Sequence, residues 1–101
     1  MYVAVYHYRI PTDKTIDYMR IEKRAIDIYL QNGCISVEIY RDAEEPEKWM
    51  EINRFENREH YERVSATLDA DPRLSRLFEE FQHIFEFENY EPEKSMYFQM
   101  I

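Results

Sequence analysis

Two stretches of alternating apolar and polar residues lie close together in the middle of the chain. They span residues 34–40 and 49–55, and the acidic segment 42–47 separates them. Alternation with a period of two is typical of β-strands, and two such strands joined by a short polar loop form an antiparallel hairpin. We therefore predict a hairpin, preceded by Gly33 as a helix terminator and followed by a helix.

The two faces of this hairpin differ in composition. One is predicted to pack on helices and carries Ile35, Val37 and Ile39, with Met50 and Ile52 across the hairpin. The other is aromatic and polar, with Cys34, Ser36, Glu38, Tyr40, Trp49, Glu51, Asn53 and Phe55. Exposing its three large aromatic side chains would forfeit on the order of ten kcal/mol. We expect a second copy of the chain to cover this face and to enclose a ligand cavity.

Two further strands are predicted near the ends of the chain. Residues 2–10 alternate as a first strand, and the pattern leaves open which of its two sides faces the helices. The two sides are Val3, Val5 and His7 on one and Tyr6 and Tyr8 on the other. The polar residues 86–94 are predicted to form a loop, and residues 95–101 the last strand.

Two helical segments are predicted from apolar positions that recur every three or four residues. The first spans residues 15–31 and ends at Asn32 and Gly33. Its expected apolar stripe is Tyr18, Met19, Ala25, Ile26, Tyr29 and Leu30, and its expected solvated face is Asp17, Arg20, Glu22, Lys23, Arg24 and Asp27. The second segment starts at the cap Asn57 and restarts at Asp71 and Pro72.

The resulting element order, β-α-β-β-α-β, predicts a ferredoxin-like α+β fold with an antiparallel sheet. Helices on one side of such a sheet leave its other side to find a partner. The 101 residues suffice for one core, so residues 1–101 are predicted to form a single domain.

Charge and cysteine content narrow the classes of partner. A formal charge of -8 at pH 7 argues against nucleic acid and anionic membranes, which are both polyanionic. The single cysteine, Cys34, excludes an intramolecular disulfide and fits a reducing cytosol. There is no basic leader and no apolar run of membrane-spanning length, so a cytoplasmic protein is predicted.

The most specific part of the chain resembles the antibiotic biosynthesis monooxygenase-like proteins of the dimeric α/β barrel superfamily. The similar features are the helix end before Gly33-Cys34, a strand that ends in Tyr40-Arg41-Asp42, an acidic loop containing a proline, and a strand that begins with Trp49 and ends in Asn53-Arg54-Phe55-Glu56 before Asn57-Arg58-Glu59. Family members typically carry a glutamate, arginine, tryptophan run where this chain has Asn53, Arg54 and Phe55.

This resemblance implies a homodimer whose sheets face one another, with the C-terminal strand reaching across to the partner. The chemistry of the family is varied. Some members oxidise aromatic polyketides with molecular oxygen and no cofactor, others degrade haem, decompose chlorite or remove a small lactone, and many have no known activity. The fold therefore does not decide the function.

Cofactor-free oxygenation needs a base, groups that orient a phenolic oxygen, and an aromatic cavity that excludes water. The candidate catalytic residues are His7, Glu51 and Asn53, and the candidate substrate-binding residues are Tyr6, Tyr8, Ser36, Glu38, Trp49 and Phe55. The simpler interpretation pairs an interior carboxylate with Arg9 or Arg54 and gives the strand histidine a fixed hydrogen bond.

No cofactor or metal is expected. The three histidines are far apart in the sequence, Cys34 stands alone, and one glycine cannot build a phosphate loop. The resemblance also argues against haem. Related haem-degrading barrels carry an axial histidine on a helix, and this chain has Leu77 or Phe78 at the corresponding position. We predict a cofactor-independent monooxygenase-like homodimer that binds a small aromatic or apolar molecule; the alternative is a non-catalytic small-molecule-binding or sensing dimer.

Overall fold

A computed structural model of the chain describes residues 1–85 and 92–101. This part contains a four-stranded antiparallel sheet and three α-helices. In chain order the elements are β1 Tyr2–Arg9, a short 3-10 helix Thr12–Lys14, α1 Thr15–Gln31, β2 Ser36–Arg41, β3 Lys48–Phe55, α2 Arg58–Asp69, α3 Pro72–Phe85 and β4 Glu93–Phe98. The predicted element order is confirmed, with the second helical segment divided into α2 and α3.

The strand order in the sheet is β2-β3-β1-β4, so the predicted ferredoxin-like α+β fold is confirmed. The last strand, β4, pairs with β1 of its own chain. It spans Glu93–Phe98, whereas residues 95–101 were predicted. Of the predicted loop, residues 86–91 lie outside the described residues, whereas Glu93 and Lys94 belong to β4 and the prediction is wrong for them.

The local signals that begin and end the helices are confirmed. The side chain of Asn57 caps α2 by accepting a hydrogen bond from the backbone N–H of His60 at 2.8 Å. Asp71 precedes α3 and accepts from the backbone N–H of Arg73 at 2.9 Å. Gly33 follows α1 with φ of 107°, a conformation that side-chain-bearing residues rarely adopt. These ends set the lengths of the helices that cover the sheet.

The strand register assigns every side chain to one of two faces, because directly paired residues point the same way. We call the side covered by the helices the helix face; it carries Tyr2, Ala4, Tyr6, Tyr8, Val37, Ile39, Arg41, Trp49, Glu51, Asn53, Phe55, Lys94, Met96 and Phe98. We call the other side the open face; it carries Val3, Val5, His7, Ser36, Glu38, Tyr40, Met50, Ile52, Arg54, Ser95 and Tyr97. The orientation of β1 that the sequence left open is thereby decided.

The predicted faces of the hairpin are wrong in one respect. The register pairs Val37 with Asn53 and Ile39 with Glu51, so the aliphatic residues of β2 share the helix face with the polar and aromatic residues of β3. Two residues predicted for the helix side lie instead on the open face, Met50 and Ile52. Alternation defines two sides of each strand but not how two strands align, and a shift of one residue exchanges the sides.

The aromatic residues of β3 are buried within one copy of the chain. Trp49 and Phe55 belong to two clusters of core residues between the sheet and the helices. The expectation that a second copy must cover them is therefore wrong. The expected stripe of α1 also needs correction, because its buried residues are Tyr18, Ile21, Ala25 and Ile28. Met19 and Leu30 are exposed.

Candidate functional site

A cavity of about 180 Å³ lies between the helix face of the sheet and the helices α1 and α3. Its walls are mainly aromatic and aliphatic, with two carboxyl groups and three phenols among them. The lining residues are Tyr6, Tyr8, Ile21, Glu22, Ala25, Tyr29, Glu51, Leu74, Leu77, Phe78, Phe81 and Pro92. A cavity of this size suits a molecule of one or two rings, since an engineered apolar cavity of about 150 Å³ holds benzene.

The two carboxyl groups reach the cavity from different layers of the fold. Glu51 lies in the middle of β3, opposite Tyr6 of β1, and the register directs it towards the helices. Glu22 lies on α1, one residue after the buried Ile21 and three before the buried Ala25, and therefore on the side of the helix that packs on the sheet. Packing of α1 on the sheet thus brings the two carboxyl groups together.

Glu22 and Glu51 form a hydrogen-bonded pair of buried carboxyls. Burial, followed by the negative charge of Glu51, raises the pKa of Glu22 well above its usual range. Burial also raises the pKa of Glu51, although hydrogen bonds from Asn53 and Glu22 oppose this rise. The pair therefore keeps a proton to a higher pH than a free carboxyl does. Two carboxyls this close titrate as one unit.

Several buried polar atoms around this pair have no hydrogen-bond partner. They are Oε2 of Glu22, Oδ1 of Asn53 and Nε1 of Trp49. A buried polar atom without a partner costs roughly 1 to 3 kcal/mol, so such atoms are uncommon in folded proteins. Of these three residues, Glu22 also lines the cavity, whereas Asn53 and Trp49 do not.

The phenols of the site belong to two hydrogen-bonded groups. Tyr8 and Tyr18 share a hydrogen bond between their hydroxyls, and burial raises the pKa of Tyr18 far above that of a free phenol. At the sheet edge, the ammonium of Lys94 donates to the hydroxyl of Tyr61 and also interacts with Tyr6. Burial raises the pKa of Tyr6, with the charge of Lys94 opposing the rise. These contacts hold the phenols in place, and burial favours the neutral form of Tyr6 and Tyr18.

The structure brings together only some of the predicted site residues. Glu51, Tyr6 and Tyr8 line the cavity, and Asn53 donates a hydrogen bond to Glu51 from the next helix-facing position of β3. Trp49 and Phe55 lie on the same face but in the core clusters and not in the cavity wall. The remaining predicted residues lie on the open face and are His7, Ser36 and Glu38.

On the open face these polar residues make ordinary surface contacts. Glu38 accepts a hydrogen bond from Arg54 at 2.8 Å, with both side chains about one-third exposed. Tyr40 donates to the same carboxylate at 2.5 Å. His7 is exposed. The predicted pairing of a carboxylate with Arg54 therefore applies to Glu38 and not to Glu51.

Glu22 was missed because it was assigned to the solvated face of α1. A signal for it does exist in the sequence. The buried positions of α1 follow the spacing i, i+3, i+7 and i+10 from Tyr18, and Glu22 occupies the i+4 position of that same pattern. A charged residue inside an otherwise apolar stripe indicates a buried carboxyl.

Other candidate chemistries find little support in the described residues. Within residues 1–85 and 92–101, no group of three or more histidine, cysteine, aspartate or glutamate side chains is arranged to hold a metal ion. The thiol of Cys34 is buried, and burial raises its pKa, which disfavours the reactive thiolate. In the same part of the chain, no helix has the length and apolar character needed to cross a bilayer.

The fold and cavity define a ferredoxin-like α+β protein with an acidic and aromatic cavity between its sheet and helices. A model of the antibiotic biosynthesis monooxygenase family matches residues 1–86. The chain therefore belongs to the antibiotic biosynthesis monooxygenase family. No curated protein sequence matches it.

Solved structures with little sequence similarity share this fold. A protein from Agrobacterium tumefaciens superposes with a TM-score of 0.76 at 18% identity, covering 96% of this chain and 91% of the other. A conserved protein from Methanosarcina mazei gives a TM-score of 0.71 at 18% identity, with 95% and 89% covered. A mutant of SnoaB, a cofactor-independent oxygenase from Streptomyces nogalater, gives 0.67 at 9% identity, with 99% and 91% covered. At these identities the likeness concerns the fold.

Proposed function

We propose that the protein is a cofactor-independent monooxygenase that acts on a small aromatic or apolar molecule in the cavity between sheet and helices. The observation that carries this proposal is the pair of buried carboxyls in an aromatic cavity. Buried carboxyls with raised pKa are suited to remove and return a proton near neutral pH. Membership of the family and the fold shared with the oxygenase SnoaB support it further.

In this mechanism Glu51 is the base, and the proton on Glu22 stabilises its charge. Glu51 accepts a proton from an activated CH₂ group of the substrate, and the carbanion transfers electrons to molecular oxygen, the co-reactant, as a C–O bond forms. The peroxide takes the proton back and loses water, which leaves a carbonyl. One oxygen atom enters the substrate, and the other leaves as water with the two substrate hydrogens.

The other residues of the site orient the substrate and its base. Asn53 holds Glu51 through its hydrogen bond, which places the free Oδ1 of Asn53 next to the base. Tyr6 and Tyr8 offer hydroxyls at the cavity wall, and the apolar side chains Leu77 and Phe81 exclude water. The substrate is limited to about two rings by the cavity volume.

We further propose that two copies associate through their open faces in the cytoplasm. Val5, Met50 and Ile52 on the central strands are half-buried and belong to neither core cluster. Contact between two such faces would remove this apolar surface from water. The exposed Met100 and Ile101 that follow β4 could then reach the partner. The buried free thiol of Cys34 fits a reducing compartment.

The activity can be tested by oxygen uptake with a panel of one- and two-ring cyclic ketones that enolise at an activated CH₂ group. We expect uptake above a protein-free blank, and a loss of about 100-fold in Glu51→Gln, because the amide cannot accept the proton. The matched change Glu62→Gln on the exposed side of α2 should leave the rate unchanged. Uptake equal to the blank across the panel would contradict the proposal, and a ligand that raises the Tm but is recovered unchanged would favour a binding protein.

A further inference from the structure

We propose that the molecule held in the cavity carries a basic nitrogen, and that its ammonium group takes the place of the proton shared by Glu22 and Glu51. The expected ligand is an organic cation in which a primary amine is attached to one or two rings. This inference rests on the part of the proposed function that makes the cavity the ligand site. It does not depend on whether the bound molecule is oxidised.

The charge of the cavity wall is the first support for a cationic ligand. Both charged groups among the described residues that line it are carboxyls, Glu22 and Glu51, and none is cationic. The ammonium of Lys94 interacts with Tyr6 and Tyr61 at the sheet edge, and Lys94 is not among the lining residues. The chain as a whole has a formal charge of -8, which attracts cations from a distance.

The second support is the free oxygen of Glu22. Its Oε2 is buried and has no partner, and Glu22 lines the cavity. The other contacts of the pair are the mutual hydrogen bond and the amide of Asn53. An ammonium has three donors and can contact both carboxyls at once, whereas a phenol has one. Hydrogen bonds from a charged donor to a carboxylate are also about twice as strong as neutral ones.

The third support is the aromatic wall. The rings of Tyr6, Tyr8 and Tyr29 surround the same space, and aromatic faces attract ammonium groups. Beyond the carboxyls, the wall is apolar and includes Leu77 and Phe81, which suits a ring or short alkyl group. The cavity thus combines two acidic side chains with aromatic and apolar ones, as an arylalkylamine requires.

Proton balance distinguishes this ligand from a neutral one. A cation that replaces the shared proton leaves the net charge of the pair unchanged, and it releases about one proton while the pair is still protonated. Its affinity must therefore rise with pH as the pair loses its proton. A neutral phenol needs no such exchange. The titratable groups around the pair are Tyr6 and Tyr8 of β1, Tyr18 and Tyr29 of α1, Cys34 before β2 and, through Tyr6, Lys94 of β4.

The test compares benzylamine, benzyl alcohol and benzoate by isothermal titration calorimetry at about pH 6 and pH 8, in buffers of different ionisation enthalpy. We expect benzylamine to bind at least tenfold more tightly than the other two at pH 8, with weaker binding and proton release at pH 6. In Glu22→Gln the preference should fall below about threefold, while Glu62→Gln should retain it. Thermal unfolding would verify that both variants are folded.

Equal affinity for benzylamine and benzyl alcohol, no binding of benzylamine, or an amine affinity that falls as the pH rises would overturn the inference. The outcome is separable from that of the oxygenase proposal. Turnover of the cyclic ketones without any preference for amines would overturn only the ligand class. Preferential amine binding without oxygen uptake across the panel would overturn only the catalytic role.

Discussion

The helix face and the open face of the sheet differ in what surrounds their polar groups. On the helix face, Glu51 is buried and its pKa is raised by burial. On the open face, Glu38 is about one-third exposed and forms an ion pair with Arg54. Two glutamates of the same sheet thus differ in chemistry because helices cover one and not the other. We therefore assign ligand chemistry to the helix face and association to the open face.

The largest effect is expected from removing a core ring on the helix face. Phe81 is 7% exposed and packs edge-on against Tyr18, so Phe81→Ala should lower the free energy of unfolding by about 3 to 5 kcal/mol. Phe78, on the same helix, is 56% exposed, and Phe78→Ala should cost about 1 kcal/mol or less. Urea unfolding of the two variants measures both. Equal losses would mean that the helix side does not form the main core.

A smaller effect is expected from a charge placed on the open face. Ile52→Lys should weaken dimerisation on the order of 100-fold, or about 2.7 kcal/mol, because an unpaired ammonium would be buried between the sheets. Ile16→Lys makes the same change at a position that is 76% exposed on α1 and should leave association unchanged. Sedimentation velocity over a dilution series gives the dissociation constants. A dimer unaffected by Ile52→Lys would rule out the open face as the interface.

The smallest effect is expected for the pH dependence of stability in Glu22→Gln. A carboxyl whose pKa is higher in the folded than in the unfolded chain binds its proton more tightly when folded. Its contribution to the free energy of unfolding is fully present below its pKa in the unfolded chain, about 4.5. This contribution is lost as the pH rises through its pKa in the folded chain. Glutamine does not titrate, so this loss is absent in Glu22→Gln. The difference in free energy of unfolding between variant and parent should therefore shift in favour of the variant as the pH rises above about 4.5. The urea midpoints of the variant and the parent are compared from pH 4 to pH 8. A constant difference between them over this range would contradict a buried pair.

Local sequence signals predicted most of the fold. The caps Asn57 and Asp71, the positive φ of Gly33 and the alternation of the strands all depend on interactions within a few residues. Such interactions are present in the sequence itself, so the element order could be predicted without knowledge of the packing. The family resemblance, carried by the hairpin region, added the expected fold.

The candidate site was only half predictable. Glu51, Asn53, Tyr6 and Tyr8 were named from strand alternation, although they were expected in a cavity between two copies and the described cavity lies on the helix face of one copy. The partner carboxyl was not predicted, because Glu22 lies 29 positions before Glu51 in the sequence. Only the packing of α1 on the sheet brings the two together.

The sequence by itself determined the elements, their ends and the two sides of each strand, since these depend on the local backbone and on periodicity. The tertiary structure decided how the strands align and which side the helices cover. It also decided that a glutamate in the stripe of α1 is buried against a glutamate of β3. The physical reason is that strand register and helix packing are set by contacts between residues distant in sequence, and desolvation of a carboxyl exists only once those contacts form.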